Sequence, residues 1–126
     1  MKTKENINLQ LRLGLFRHGK SSHDDREIGD IGRPLAPRGI AAPRAMGRMM
    51  AERRLLPDLV LCSPATRTRE TWALAAAQLP HPPTVLEIGE LYDFGDGSAV
   101  LEAIRAHGGE APFLLAVGHN PALQLL

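Results

Sequence analysis

Three stretches of this chain carry an arginine, a histidine or both, and each follows an apolar run. Arg17-His18-Gly19-Lys20-Ser21 follows the run 11–16. Ser63-Pro64-Ala65-Thr66-Arg67 follows Leu59-Val60-Leu61-Cys62, and Gly118-His119-Asn120-Pro121 follows the run 113–117. Two arginines and two histidines brought to one place suit a phosphoryl group. A phosphate monoester is close to dianionic at neutral pH, with a second pKa of about 6. Guanidinium groups match its oxygens in bidentate geometry. A neutral imidazole nitrogen can attack phosphorus and hold it covalently, which divides one hard step into two. Phosphoryl transfer otherwise requires positioning and charge stabilisation. Gly19, directly after His18, is expected to let the backbone approach the ligand closely.

Each residue alone has a plainer explanation. A single histidine after a strand is usually a satisfied or surface histidine. Arg67 could face solvent from a helix, His119 could cap a turn, and Lys20 could be only a loop charge. The coincidence of all of them after three apolar runs favours a shared site. Other groups carry less. Asp24, Asp25 and Asp30 read as a solvated acidic loop, because their spacing matches no common metal-ligand pattern. His23, His81 and His107 have no supporting context and are expected to be exposed. Cys62 reads as a buried core thiol, and Met46, Met49 and Met50 as core filler on one helix face.

The elements that must position these residues alternate. Strands are expected over 11–16, 59–62, 84–88 (weak) and 113–117. Helices are expected over 37–54, from Ser63 to about 78, over 98–106, and after Pro121. Residues 18–36 read as a long loop with Gly19, Gly29, Gly32 and Pro34. Pro43 should kink the first helix or fall in an early turn. Ser63-Pro64 predicts an N-cap followed by proline at the first helical position. Apolar strands separated by helices predict an α/β fold: a three-layer sandwich with a mainly parallel central sheet covered on both faces. In such sheets ligands bind beyond the carboxyl ends of the strands, where all three stretches lie.

The whole chain sets bounds. Its 126 residues suit one domain, with residues 1–10 as a polar tail and 11–126 as the folded part. Fifteen basic and 14 acidic residues give a net charge of +1, which speaks against a nucleic-acid partner. Cys62 is the single cysteine, so no internal disulfide forms. With no signal-like or membrane-spanning apolar run, no membrane partner is expected and the cytoplasm is the default location. Ala122, Leu123, Leu125 and Leu126 form an apolar helix start. The expectation is either that the chain is part of a longer protein or that another subunit, as in a homo-oligomer, covers a sheet face near the fourth strand.

The ordered motifs resemble a known family. Leu15-Phe16-Arg17-His18-Gly19-Lys20-Ser21 resembles the Arg-His-Gly motif of the histidine phosphatase superfamily, which includes the phosphoglycerate mutases. Its Lys-Ser continuation is similar to the short bacterial phosphohistidine phosphatases of the SixA type. Arg33-Pro34-Leu35 with Arg38-Gly39, the block 57–64 with Arg67-Thr68-Arg69-Glu70-Thr71, Leu91-Tyr92, and Val117-Gly118-His119-Asn120-Pro121 extend the likeness from about residue 11 to the end. The resemblance implies a phosphoglycerate mutase-like fold lacking its C-terminal part. It implies His18 as nucleophile, with Arg17, Arg67 and His119 clamping phosphoryl oxygens and Lys20 as a further substrate-binding candidate. It implies no metal and no organic cofactor. Glu90 is the first candidate for a general acid and Asp93 the second, since the acidic motif of larger members is absent. Their pocket-forming insertion is absent too. The implied function is a metal-independent phosphatase acting on protein phosphohistidine. The alternatives are a phosphatase of small phosphorylated metabolites, or a non-catalytic phosphate- or phosphoprotein-binding domain.

Overall fold

The structure, a computed structural model, describes residues 12–22 and 29–126. The tail 1–10, together with Leu11, His23, Asp24 and Asp25, lies outside these residues. Strands β1 (Arg12–Arg17), β2 (Leu59–Cys62), β3 (Thr84–Glu87) and β4 (Phe113–Gly118) form an all-parallel sheet in the order β1-β4-β2-β3. Helices α1 (Ala41–Glu52) and α2 (Thr66–Ala76) cover one face, where Met50 and Trp72 pack against Val60, Cys62, Leu115 and Val117. Helices α3 (Ser98–His107) and α4 (Ala122–Leu125) cover the other, where Val100, Ala103 and Leu123 pack against Leu61, Leu114 and Ala116. Side chains alternate between faces along a strand. The two inner strands are apolar at every position because helices lie on both sides of them. This is the expected α/β sandwich.

Proline shapes α1 without breaking it. A 3-10 turn at Pro37–Gly39 precedes the helix, so residues 37–54 are not one continuous helix. Pro43 is the third residue of α1, where a missing N–H costs no intrahelical bond. Pro43, Gly47 and Met50 form the buried stripe, four and then three residues apart. A Cβ on Gly47 would stand 2.3 Å from the Ala75 carbonyl oxygen, so its absence lets α1 lie close on α2. Met49 is partly buried, but Met46 is exposed and is not core filler. It sits beside the stripe and lines a shallow apolar hollow with the edge strand β1.

The start of α2 also differs from expectation. Ser63 is not its N-cap, because its backbone still extends the sheet: Ser63 N–H donates to the Val117 carbonyl at 3.0 Å. The helix opens at Thr66 after Ala65, once the chain has left the sheet. Thr68 Oγ1 bonds the Ser63 and Ala65 carbonyls at 2.9 and 2.7 Å and fixes that exit.

Coverage of the sheet is uneven. On β1, Leu13 and Leu15 are paired in register with Leu114 and Ala116, hence on the α3 side, yet they are 48% and 43% exposed. From Leu114 to Gly118, β4 is buried, and the bare apolar surface lies beside it on β1. All four residues of β3 are exposed as well. No helix among the described residues is long and apolar enough to cross a membrane.

Candidate active site

Strand order brings the three stretches together. Since β4 lies between β1 and β2, His119 emerges between His18 and Ser63 at the carboxyl edge of the sheet. Two backbone bonds prolong the ladder past the strand ends. His18 N–H donates to the Gly118 carbonyl at 3.2 Å, and Ser63 N–H to that of Val117 at 3.0 Å. The imidazoles of His18 and His119 then stand 5.2 Å apart between ring centroids.

The loop carrying His18 is held by close backbone packing. A Cβ on Gly19 would fall 2.4 Å from the Gly39 carbonyl oxygen, and one on Gly39 would fall 2.1 Å from that of Lys20. Gly19 therefore serves the approach of one backbone to another, and it also lines the cavity beside His18. Its N–H donates to Thr71 Oγ1 at 3.0 Å, and that hydroxyl donates to the Arg67 carbonyl at 2.7 Å. One threonine thus ties the His18 loop to the helix that carries Arg67.

Hydrogen-bond partners fix both tautomers. His18 Nδ1 lies 2.5 Å from the Gly19 carbonyl, which can only accept, so Nδ1 carries the proton and Nε2 keeps its lone pair. His119 Nε2 lies 2.8 Å from Ser63 Oγ, while its Nδ1 lies 3.5 Å from an Arg67 Nη that can only donate. Burial pushes the His18 pKa below the usual 6.5. The bond to the Gly19 carbonyl opposes this, and the charges of Arg67, Arg17 and Arg33 add to it. His119 is pushed down to about 3, first by burial and then by the charges of Arg67 and His18. Both rings are neutral at pH 7. A charged His119 is therefore not the form held in the absence of an anion.

Arg67 is 1% exposed, and so is His119. The guanidinium donates through Nη1 to the Asp30 backbone carbonyl at 2.7 Å and through Nη2 to Asp30 Oδ2 at 3.1 Å, while Nε is buried without a partner. Asp30, in a 3-10 turn at Asp30–Gly32, also accepts from Arg33 and from the Tyr92 hydroxyl. The Tyr92 bond, then those of Arg33 and Arg67, hold its carboxyl well below the usual range against the effect of burial. Asp30 thus stays solvent-exposed, at 49%, as expected of a loop acid, and is in addition bonded to Arg67 at the site. Tyr92 and Phe94 set their rings 5.4 and 4.9 Å from His119, and Phe94 lies 6.0 Å from the Arg67 guanidinium carbon.

The remaining candidates stand further out. Arg17 and Lys20 are exposed and, with His18, Gly19 and Ser21, line an open cavity of about 370 Å³. Glu90 is exposed and shows no bond among the described residues. Asp93 lies between the two aromatics; one of its oxygens accepts from Gly95 N–H at 2.8 Å and the other is buried without a partner. His81 and His107 are exposed, and Cys62 is buried, with its thiol pushed up to about 12 by burial. Among the described residues, no three His, Cys, Asp or Glu side chains could together hold a metal ion. Asp30 and Phe94 are site neighbours that sequence reasoning did not single out for the site, and Ser63 and Thr71 were named only within motifs. Arg33 and Tyr92 were visible only as family-like motifs.

The fold is thus a parallel α/β domain that gathers an arginine and two imidazoles at the carboxyl edge of its sheet. Residues 13–96 match the model of the histidine phosphatase superfamily (branch 1), and the chain belongs to that superfamily. An uncharacterized protein of Mycobacterium tuberculosis is 40% identical over 111 residues, covering 88% of this chain and 66% of the relative. The chain thus spans just under two thirds of that relative's length. Among solved structures, a candidate phosphohistidine phosphatase SixA from Agrobacterium tumefaciens superposes with a TM-score of 0.81 at 28% identity, covering 92% of this chain and 74% of the other. A protein histidine phosphatase SixA complexed with tungstate gives 0.72 at 27% identity, covering 90% and 72%.

Proposed function

We propose that this chain is a phosphatase that works through a phosphohistidine on His18, with protein phosphohistidine as its favoured substrate. The observation that carries this reading is the fixed tautomer of His18: Nδ1–H is bound to the Gly19 carbonyl, so Nε2 offers its lone pair. Beside it lie Arg67, with a buried and unpartnered Nε–H, and the imidazole of His119.

In the first step the Nε2 lone pair forms a bond to phosphorus as the bond from phosphorus to the leaving atom breaks. The leaving atom takes that electron pair, and a proton from water or from a carboxylic acid such as Asp93 or Glu90. Arg67 and Arg17 stabilise the charge on the equatorial oxygens, with Lys20 at the rim. An arriving dianion also favours protonation of His119, which burial otherwise opposes. In the second step water attacks phosphorus, the bond to Nε2 breaks, and phosphate leaves with the site restored. An imidazole leaving group is easily protonated near neutral pH. A phosphohistidine substrate therefore makes small demands on a dedicated acid, whether Asp93 or Glu90. That a similar protein histidine phosphatase SixA is complexed with tungstate supports oxyanion binding by this fold. We propose that no metal or organic cofactor takes part and that the setting is cytoplasmic.

Brief incubation with a labelled aryl phosphate should leave acid-labile, base-stable phosphate on the protein, with turnover unaffected by chelator. His18→Ala should remove both label and turnover; an active His18→Ala protein would refute the nucleophile. Failure to hydrolyse any phosphate ester while still binding phosphate would favour a non-catalytic binding domain. A higher kcat/KM on small phosphorylated metabolites than on a phosphohistidine peptide would move the substrate class.

A further inference from the structure

We propose that Asp30 is a positioning residue, which holds the terminal edge of the Arg67 guanidinium so that its remaining N–H groups face an incoming oxyanion. The inference rests on the phosphoryl reading of the site and adds a residue to it. A guanidinium taken out of water costs several kcal/mol unless it is paired and hydrogen-bonded. For Arg67, 1% exposed, Asp30 meets that requirement twice. Nη1 donates to its backbone carbonyl at 2.7 Å and Nη2 to its carboxylate at 3.1 Å. Both bonds use the end of the planar fork. Nε stays buried and unpartnered, which is unusual for so strong a donor.

Asp30 can hold this position because it is itself held from three sides. Arg33 donates to Oδ1 through Nε and Nη2 at 3.0 and 2.9 Å, and through Nη1 to Ser21 Oγ at 2.8 Å, just after the His18 loop. Tyr92 donates its hydroxyl to Oδ2 while its ring stands edge-on to His119. One carboxylate thus joins the loop after β1, helix α2 and the segment after β3, three separated parts of the chain that meet at His119.

The test uses tungstate binding by calorimetry and turnover of an aryl phosphate. Asp30→Ala should weaken tungstate binding and lower kcat, each on the order of ten- to a hundredfold, because a small misplacement of a positioning group has effects of that size. KM should change less than kcat, since the group lost acts on the transition state. Asp30→Asn keeps an oxygen acceptor in the same place and should restore part of both. Tyr92→Phe removes one of the bonds that hold Asp30 and should weaken tungstate binding in the same direction as Asp30→Ala, by a smaller factor. Three results would overturn the proposal: a variant at position 30 that binds tungstate more tightly, one that loses thermal stability alone, and a wild-type chain that binds no tungstate. If wild type binds tungstate, Asp30→Ala weakens it and no ester is hydrolysed, the positioning role stands and the phosphatase reading falls.

Discussion

Leu15 and Phe16 are neighbours in β1, and their surroundings differ sharply. Phe16 packs with Leu115 and Val117 under α1 and α2, whereas Leu15, in register with Ala116, is 43% exposed on the other side. Towards α1 and α2 the sheet is sealed as far as Phe16 of β1, although Val85 on the β3 edge is 41% exposed. Towards α3 and α4 the cover stops over β2 and β4. The sealed side fixes how β1 lies on β4, and so where His18 stands relative to His119. The bare side contributes little to that placement. Precision at the site thus comes from one face of the sheet and from the network beyond its carboxyl edge.

The largest effects should fall at that edge. His18→Ala should abolish turnover with no loss of fold. Arg67→Ala should lower kcat/KM by two to three orders of magnitude, about 3–4 kcal/mol by comparison with other lost charge-stabilising donors. Steady-state kinetics with a circular dichroism control checks both. Stability should respond next, at the backbone contact behind His18. Gly39→Ala places a Cβ 2.1 Å from the Lys20 carbonyl oxygen and should cost about 2–3 kcal/mol in denaturant unfolding. A cost near zero there would show that the loop gives way easily.

The two faces of β1 can then be set against each other. Phe16→Ala should cost about 2 kcal/mol, at the low end for a large aromatic because it is only partly buried. Leu13→Ser with Leu15→Ser should change stability by less than about 0.5 kcal/mol, since both positions are open to solvent. A large loss in the double variant, or a fall in molecular weight by light scattering, would mean that a further segment or a second subunit covers this face.

Acid should act on the site with a defined sign. His119 titrates at about 3 in the folded state, against 6.5 when free of the fold. Below 6.5 the unfolded chain therefore binds more protons than the folded one, and stability falls as pH falls. The loss between about pH 6.5 and pH 5 should be ~1–2 kcal/mol, read from unfolding midpoints, and His119→Gln should reduce it. His18 is shifted in the same direction, so its nucleophilic form persists below the usual 6.5 and the acid limb of kcat/KM should lie beneath that value. An acid limb above 6.5 would contradict a neutral, buried His18.

The sequence by itself determined the alternation of strands and helices, the parallel sheet, and the gathering of His18, His119 and Arg67. Apolar runs and turn residues are local signals, and in parallel α/β sheets the polar residues after strands share one edge. Only the tertiary structure decided the rest. It moved the start of α2 from Ser63 to Thr66, because Ser63 is still bound to β4. It turned Gly19 towards Gly39, because two backbones meet there. It left Leu13 and Leu15 bare, because apolar pattern states what could be buried and not what lies opposite. Above all it drew Asp30 out of an acidic loop and onto Arg67, 37 residues away. No local spacing encodes that contact, since an ion pair between distant segments exists only once the sheet has set them side by side.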